Sequence, residues 1–144
     1  MASLGNTIFK AVTGIHVFLY RKSGGKIWGR MVGLPILLLT TTGRKTGLER
    51  TNPVVYVRDG NDYLLSASAG GADKNPAWFA NLESKPDAKI EVDGKTIPVK
   101  VVITTGDERT GLYEQFKSAS NNFVEYEKKT TRKIPVIRLQ PTSA

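Results

Sequence analysis

The stretch Leu37-Leu38-Leu39-Thr40-Thr41-Thr42-Gly43-Arg44-Lys45-Thr46-Gly47-Leu48-Glu49-Arg50-Thr51-Asn52-Pro53-Val54-Val55-Tyr56 decides the fold. Apolar and β-branched runs flank a short basic turn, which suits two paired strands. Gly43 and Gly47 bracket the turn, where a tight connection calls for positive φ. Arg44 and Lys45 sit at its tip, with Thr46 beside them and Arg50 returning along the second strand. Backbone N–H groups, a hydroxyl and cationic side chains so gathered suit a phosphate. A merely solvated hairpin tip has the same composition. The turn is not a Walker loop: Arg44 rather than Gly precedes Lys45, and Pro53 marks an extended run where a helix would be needed.

The chain has 144 residues, enough for one domain (1–144) that buries roughly two-thirds of its unfolded surface. It contains no cysteine, which excludes disulfides, thiolate nucleophiles and Cys-ligated metals, and a single histidine, His16. A zinc site or a Ser-His-Asp triad is therefore not expected, His16 is assigned no role, and no metal is assigned. The net charge of +8 is uneven, since residues 1–50 hold eight Lys/Arg against Glu49 alone. Such a map suits a polyanionic ligand, an anionic membrane or nucleic acid. The strands are aliphatic, with Tyr56 and Tyr63 too sparse for a stacking platform, so specific nucleic-acid binding is not expected.

Upstream, Leu4, Ile8, Val12, Ile15 and Leu19 recur at helical spacing, with Phe9 and Phe18 flanking, and predict an amphipathic helix over 1–22. It is too short and too interrupted by Lys10 to span a bilayer, and it has no signal-peptide pattern, so the cytoplasm is the default. Arg21, Lys22, Lys26, Trp28 and Arg30 also suit peripheral contact with the inner face of the cell membrane. Downstream, the pattern predicts strands at 36–42, 50–58, 63–68, 88–92, 95–105 and 134–139, the first three forming a meander. Asn75 is the expected cap of a short helix running to Glu83, and Asp107 that of a helix to Ser118. A last helix, 122–130, places Phe123 and Tyr126 on one face. The fold class is α+β, mainly β: a split antiparallel barrel of about six strands with an N-terminal helix and short inserted helices.

The run from Leu38 to Gly47, then Arg50-Thr51-Asn52-Pro53, Asp59-Gly60, Ser66-Ala67-Ser68, Gly70-Gly71, Lys74-Asn75-Pro76, Trp78, Asn81-Leu82, Arg132 and Ile134-Pro135, resembles the deazaflavin-dependent nitroreductase family. The likeness covers residues 30–139, the cofactor-binding barrel, and matches the first helix only in type. It implies a split barrel that binds coenzyme F420 and passes a hydride from the reduced form to a quinone, enone or nitroaromatic. A related split barrel binds FMN instead, often as a dimer, and a non-catalytic deazaflavin-storage protein is a third reading.

By the same resemblance, Arg44, Lys45 and Thr46 meet the phosphate end. Arg50, Thr51, Asn52, Pro53, Val54 and Val55 run along the cofactor, Ser66, Ala67, Ser68 and Ala69 line its other side, and Ala77, Trp78 and Asn81 close the pocket. Val55, Phe123 and Tyr126 shape the substrate mouth, and Ser68 and Tyr126 are the candidate proton donors. Some relatives carry Lys at the place of Ala69 and tyrosines at those of Val55, Ser120 and Phe123. The mouth is accordingly expected to be apolar and to prefer flat conjugated acceptors over nitroimidazoles. The partner is a small-molecule acceptor, and the protein itself a monomer or homodimer.

Overall fold

The computed structural model describes residues 14–22 and 30–142. Residues 14–22 are helical (α1). Five strands follow: β1 (Arg30–Met31), β2 (Leu34–Thr42), β3 (Glu49–Val55), β4 (Val57–Asp59) and β5 (Asp62–Ser66). A 3-10 turn, Ala69–Gly71, and helix α2 (Ala77–Ser84) lead to β6 (Asp87–Val92) and β7 (Lys95–Ile103). Helices α3 (Gly106–Ala119) and α4 (Asn122–Lys129) then precede β8 (Val136–Pro141).

The strands pair in the order β1-β2-β6-β7-β8-β5-β4, with β3 on β2. The segment expected as one strand over 50–58 breaks at Tyr56, whose N–H donates to the Pro35 carbonyl at 3.0 Å. Its first half pairs with β2 (Leu38↔Pro53) and its second with β5 (Val57↔Leu64). One stretch of chain thus joins both ends of the sheet, and the sheet curls into a split barrel. That break, together with the two-residue β1, turns the six expected strands into eight. The expected meander is likewise divided between two pairings.

β2 is apolar on both faces because both are covered. Leu37 and Leu39 enter the barrel core with Leu65, Ile90, Ile137 and Leu139, while Ile36 and Leu38 pack against Val17 and Tyr20 of α1. Within the described residues the helical stripe is therefore rotated from expectation: Ile15 is 55% and Phe18 59% exposed. Leu4, Ile8, Phe9, Val12 and Trp28 lie outside the described residues. The Tyr20 hydroxyl donates to the Ile36 carbonyl (3.0 Å), and Arg21 reaches Glu91 through Nη2 (2.7 Å), which fixes α1 across β2 and β6. A second apolar layer sits outside the barrel, where Leu34, Leu64 and Val136 meet Leu112, Tyr113, Phe116 and Phe123 of α3 and α4.

Several boundaries shift for local reasons. Pro76, not Asn75, holds the cap position of α2, because the Asn75 side chain accepts a bond from Arg132 (2.6 Å). Thr105, not Asp107, precedes α3, leaving Asp107 and Glu108 in its first turn, where carboxylates favour the helix N-terminus. The last strand begins at Val136 rather than at Ile134, whose carbonyl is taken by Arg109 Nε at 2.8 Å.

Candidate functional site

The basic turn between β2 and β3 is closed by its own backbone. The Gly43 N–H donates to the Leu48 carbonyl (2.7 Å), Gly47 N–H to the Gly43 carbonyl (2.8 Å) and Leu48 N–H to Thr46 Oγ (3.2 Å). Gly47 has the positive φ expected of it, +74°. Gly43 is required for a different reason: a Cβ there would stand 2.9 Å from Thr46 Oγ and 3.1 Å from the Leu48 carbonyl oxygen. The Arg44 N–H is also committed, to Asn81 Oδ1 at 3.1 Å. The turn therefore offers an anion the N–H groups of Lys45 and Thr46, which have no acceptor among the described residues, and not its whole backbone.

Asn81 holds this turn to the barrel. Its Oδ1 also accepts from Arg44 Nη1 (3.1 Å), and its Nδ2 donates to Thr41 Oγ (3.1 Å). The residue is 4% exposed, so both the oxygen and the nitrogen of the amide are bonded in a dry place. α2 positions it, since Trp78, Phe79 and Leu82 of the same helix anchor in the barrel core. One rung along the strands, the Thr40 and Thr51 hydroxyls bond at 2.9 Å.

Turn, strand and helix enclose a cavity of about 630 Å³. Of the residues expected to hold a cofactor, Arg44, Lys45, Thr46, Arg50, Thr51, Asn52, Ala77, Trp78 and Asn81 line it. Gly14 and Val17 of α1 complete one wall. The sequence reading missed these two, because the family motifs begin downstream of them. The charges at the polar end are free: among the described residues Lys45 and Arg50 have no ion-pair or hydrogen-bond partner. The nearby carboxylate of Glu49 is turned to Lys89 (3.4 Å) instead. Unpaired cations at one end and Trp78 and Val17 on the walls fit an elongated group with an anionic tail and a flat ring.

The remaining expected residues lie elsewhere. Pro53 continues β3, and Val54 and Ala67 point into the barrel core, at 8% and 0% exposure, so their side chains cannot line a ligand. Val55 is half-buried at the seam between the α1 layer and the α3–α4 layer. Ser66 Oγ is buried with no hydrogen-bond partner among the described residues, and alternation with Leu64 places it toward α3 and α4 rather than the cavity. Ser68 makes no side-chain hydrogen bond among the described residues, and Ala69 beside it takes φ +48°.

Phe123, expected at a substrate mouth, is 1% exposed and stacks with Phe116 (5.0 Å between ring centres) and Tyr126 (5.3 Å). α4 turns it inward, and Tyr126 is the half-buried ring beside it. Arg132 proves to be an organiser: it donates to the carbonyls of Ala72 and Ser68 (both 2.8 Å) as well as to Asn75, tying the 68–76 connection down. Burial lowers its pKa from the ordinary guanidinium value. Among the described residues no group of His, Asp and Glu is placed to hold a metal ion, and no helix is long and apolar enough to cross a membrane.

The family model described as F420H(2)-dependent quinone reductase matches residues 12–141. The chain belongs to the F420H(2)-dependent quinone reductase family. An F420H(2)-dependent quinone reductase of Mycobacterium tuberculosis (strain H37Rv) is 38% identical over 129 residues, covering 87% of each chain. Among solved structures, an F420-H2 dependent reductase (FDR-A) is 34% identical with a TM-score of 0.68, covering 74% of this chain and 94% of that one. A structure described as a domain-swapped dimer is 29% identical, with a TM-score of 0.71, covering 96% and 100%. The motif resemblance and the family agree on a split-barrel oxidoreductase and on coenzyme F420, rather than FMN, as the cofactor.

Proposed function

We propose that this quinone reductase family member holds reduced F420 in the cavity beside β3 and reduces quinones at an apolar mouth formed by Val55 and Tyr126. The observation that supports it most is the pair of cations, Lys45 and Arg50, that have no partner among the described residues, beside an Arg44 already braced by Asn81. A site arranged in advance for an anionic tail gains affinity without first breaking ion pairs. The cofactor would supply a hydride from its ring carbon, and a quinone that takes this hydride and one proton leaves as hydroquinone, with the deazaflavin oxidised. Thr46 and the N–H groups of Lys45 and Thr46 complete the anion cradle, and Trp78 with Val17 excludes water from the ring. The Ser68 hydroxyl, which makes no side-chain hydrogen bond among the described residues, would deliver the proton, with Tyr126 as the alternative donor.

The same reading extends to location. The exposed Ile15 and Phe18 with Lys22 on α1, and Leu48 (60% exposed) at the hairpin tip, would suit contact with an anionic bilayer, where lipid-soluble quinones reside. The protein would then act in the cytoplasm at the inner face of the membrane. The test is oxidation of F420H2 by the purified protein with menadione and, separately, with a nitroimidazole. Faster turnover of menadione is expected, and equal turnover of both would overturn the acceptor assignment. Light scattering on the same sample separates monomer from homodimer, and sedimentation with anionic vesicles tests the membrane face.

A further inference from the structure

We propose that the hairpin joining β1 to β2 is the selectivity gate of the acceptor site, with Val32 gauging the acceptor and Ser120 holding Val32 in place. This rests on the quinone reading above and goes beyond it by naming residues outside the cofactor cavity. Met31 pairs with Leu34, which leaves Val32 and Gly33 as a two-residue turn. Both have positive φ, +47° and +80°. Glycine takes this conformation freely, but a β-branched residue adopts it only when its surroundings impose it.

What imposes it is on the other side of the chain. Ser120 Oγ, at the junction of α3 and α4, donates to the Val32 carbonyl at 2.8 Å. Asn122 Nδ2 donates in turn to Ser120 Oγ at 3.1 Å, which aligns the hydroxyl. The hairpin is thus latched 88 residues away in sequence, onto the helix pair that carries Tyr126.

The latch places one apolar side chain. Val32 is half-buried and packs on the α3–α4 aromatic layer together with Val55 and Tyr126. Those two are the residues the quinone reading sets at the acceptor mouth, and Val32, like Val57, packs against the same cluster as they do. A turn that would accept glycine or asparagine instead carries a bulky, strained valine, whose carbonyl the Ser120 hydroxyl holds in a charge-neutral hydrogen bond. Removing that bond would loosen the turn's hold on the valine, so that the side chain could swing out and widen the mouth.

The experiment compares kcat/KM for menadione and for the same ring bearing a short isoprenoid tail, with saturating F420H2. Val32→Asn and Val32→Gly both suit the turn and so keep the hairpin folded, and Ser120→Ala removes the latch while Ser120→Thr retains a hydroxyl. Each of the first three is expected to change the tailed-to-untailed ratio by about tenfold, chiefly through KM for the quinone. The Kd for F420 should stay at the wild-type value, and Ser120→Thr should restore the wild-type ratio. Folded variants that bind F420 yet keep the wild-type ratio would overturn the gate alone. Wild-type protein that binds F420H2 and reduces neither quinone would overturn the functional reading, and the gate with it.

Discussion

The two sides of this barrel are built on opposite principles. On the side of the β2–β3 turn, Lys45 and Arg50 are exposed and have no partner among the described residues, and the buried Asn81 braces Arg44 through Oδ1 and Thr41 through Nδ2. On the side of α3 and α4, Tyr113, Phe116 and Phe123 are almost completely buried and meet ring to ring. The first side gains from charge and should respond to salt. The second gains from fit and should respond to volume. A site with a charged cofactor tail and a neutral acceptor needs one of each.

The largest effect should come from breaking the packed side. Phe123→Ala should cost about 3–5 kcal/mol of stability, read as a lower urea midpoint, because the surrounding rings cannot close the space. F420 affinity of the molecules that remain folded should be unchanged. If affinity falls as well, the two sides are not separate. Next, replacing Arg44 and Lys45 together by Ala should weaken F420 binding by about 3 kcal/mol, on the order of a hundredfold, with little change in thermal stability. Added salt should weaken the wild-type protein in the same direction.

A smaller effect sharpens the contrast. Asn81→Ala leaves Arg44 in place but unbraced, and should lower F420 affinity by about 1–2 kcal/mol by titration. The subtlest test uses pH, because two buried phenols, Tyr20 beside β2 and Tyr113 in α3, titrate well above their ordinary value. Burial pushes Tyr20 and Tyr113 from 10.0 up to about 12. Between these values an unfolded chain releases protons that the fold retains, so the stabilisation is full below pH 10 and is lost as pH rises toward 12. Tyr113→Phe and Tyr20→Phe should each flatten that decline in urea denaturation, by removing one of the two groups.

Much of the charged side was legible in the sequence, because anion binding needs particular residue types at close spacing. Arg44, Lys45, Thr46 and Arg50 lie within seven residues and line one cavity. The strand and helix pattern was also legible, since periodicity depends on local chain geometry. What escaped depends on distant partners. Nothing near Asn75 reveals that Arg132 will take its side chain, and nothing near Tyr56 reveals that the strand must break to bond Pro35. The phase of α1 failed for a similar reason, as Val17 and Tyr20 are selected by the faces of Ile36 and Leu38. Phe123 was read from family position, and only the tilt of α4 shows that it faces inward.

The place of β8 between β7 and β5 governs how this chain must come together in time. It is the last strand in chain order, yet it fills the middle of the sheet. Until Val136–Pro141 emerges, β7 and β5 each present a row of unsatisfied backbone groups to any neighbouring chain. Completion is therefore a late, long-range event, and the newly made protein passes through a stage in which aggregation competes with closure. Crowded expression or a slow final strand should trap it there, and a chaperone that shields strand edges should rescue it.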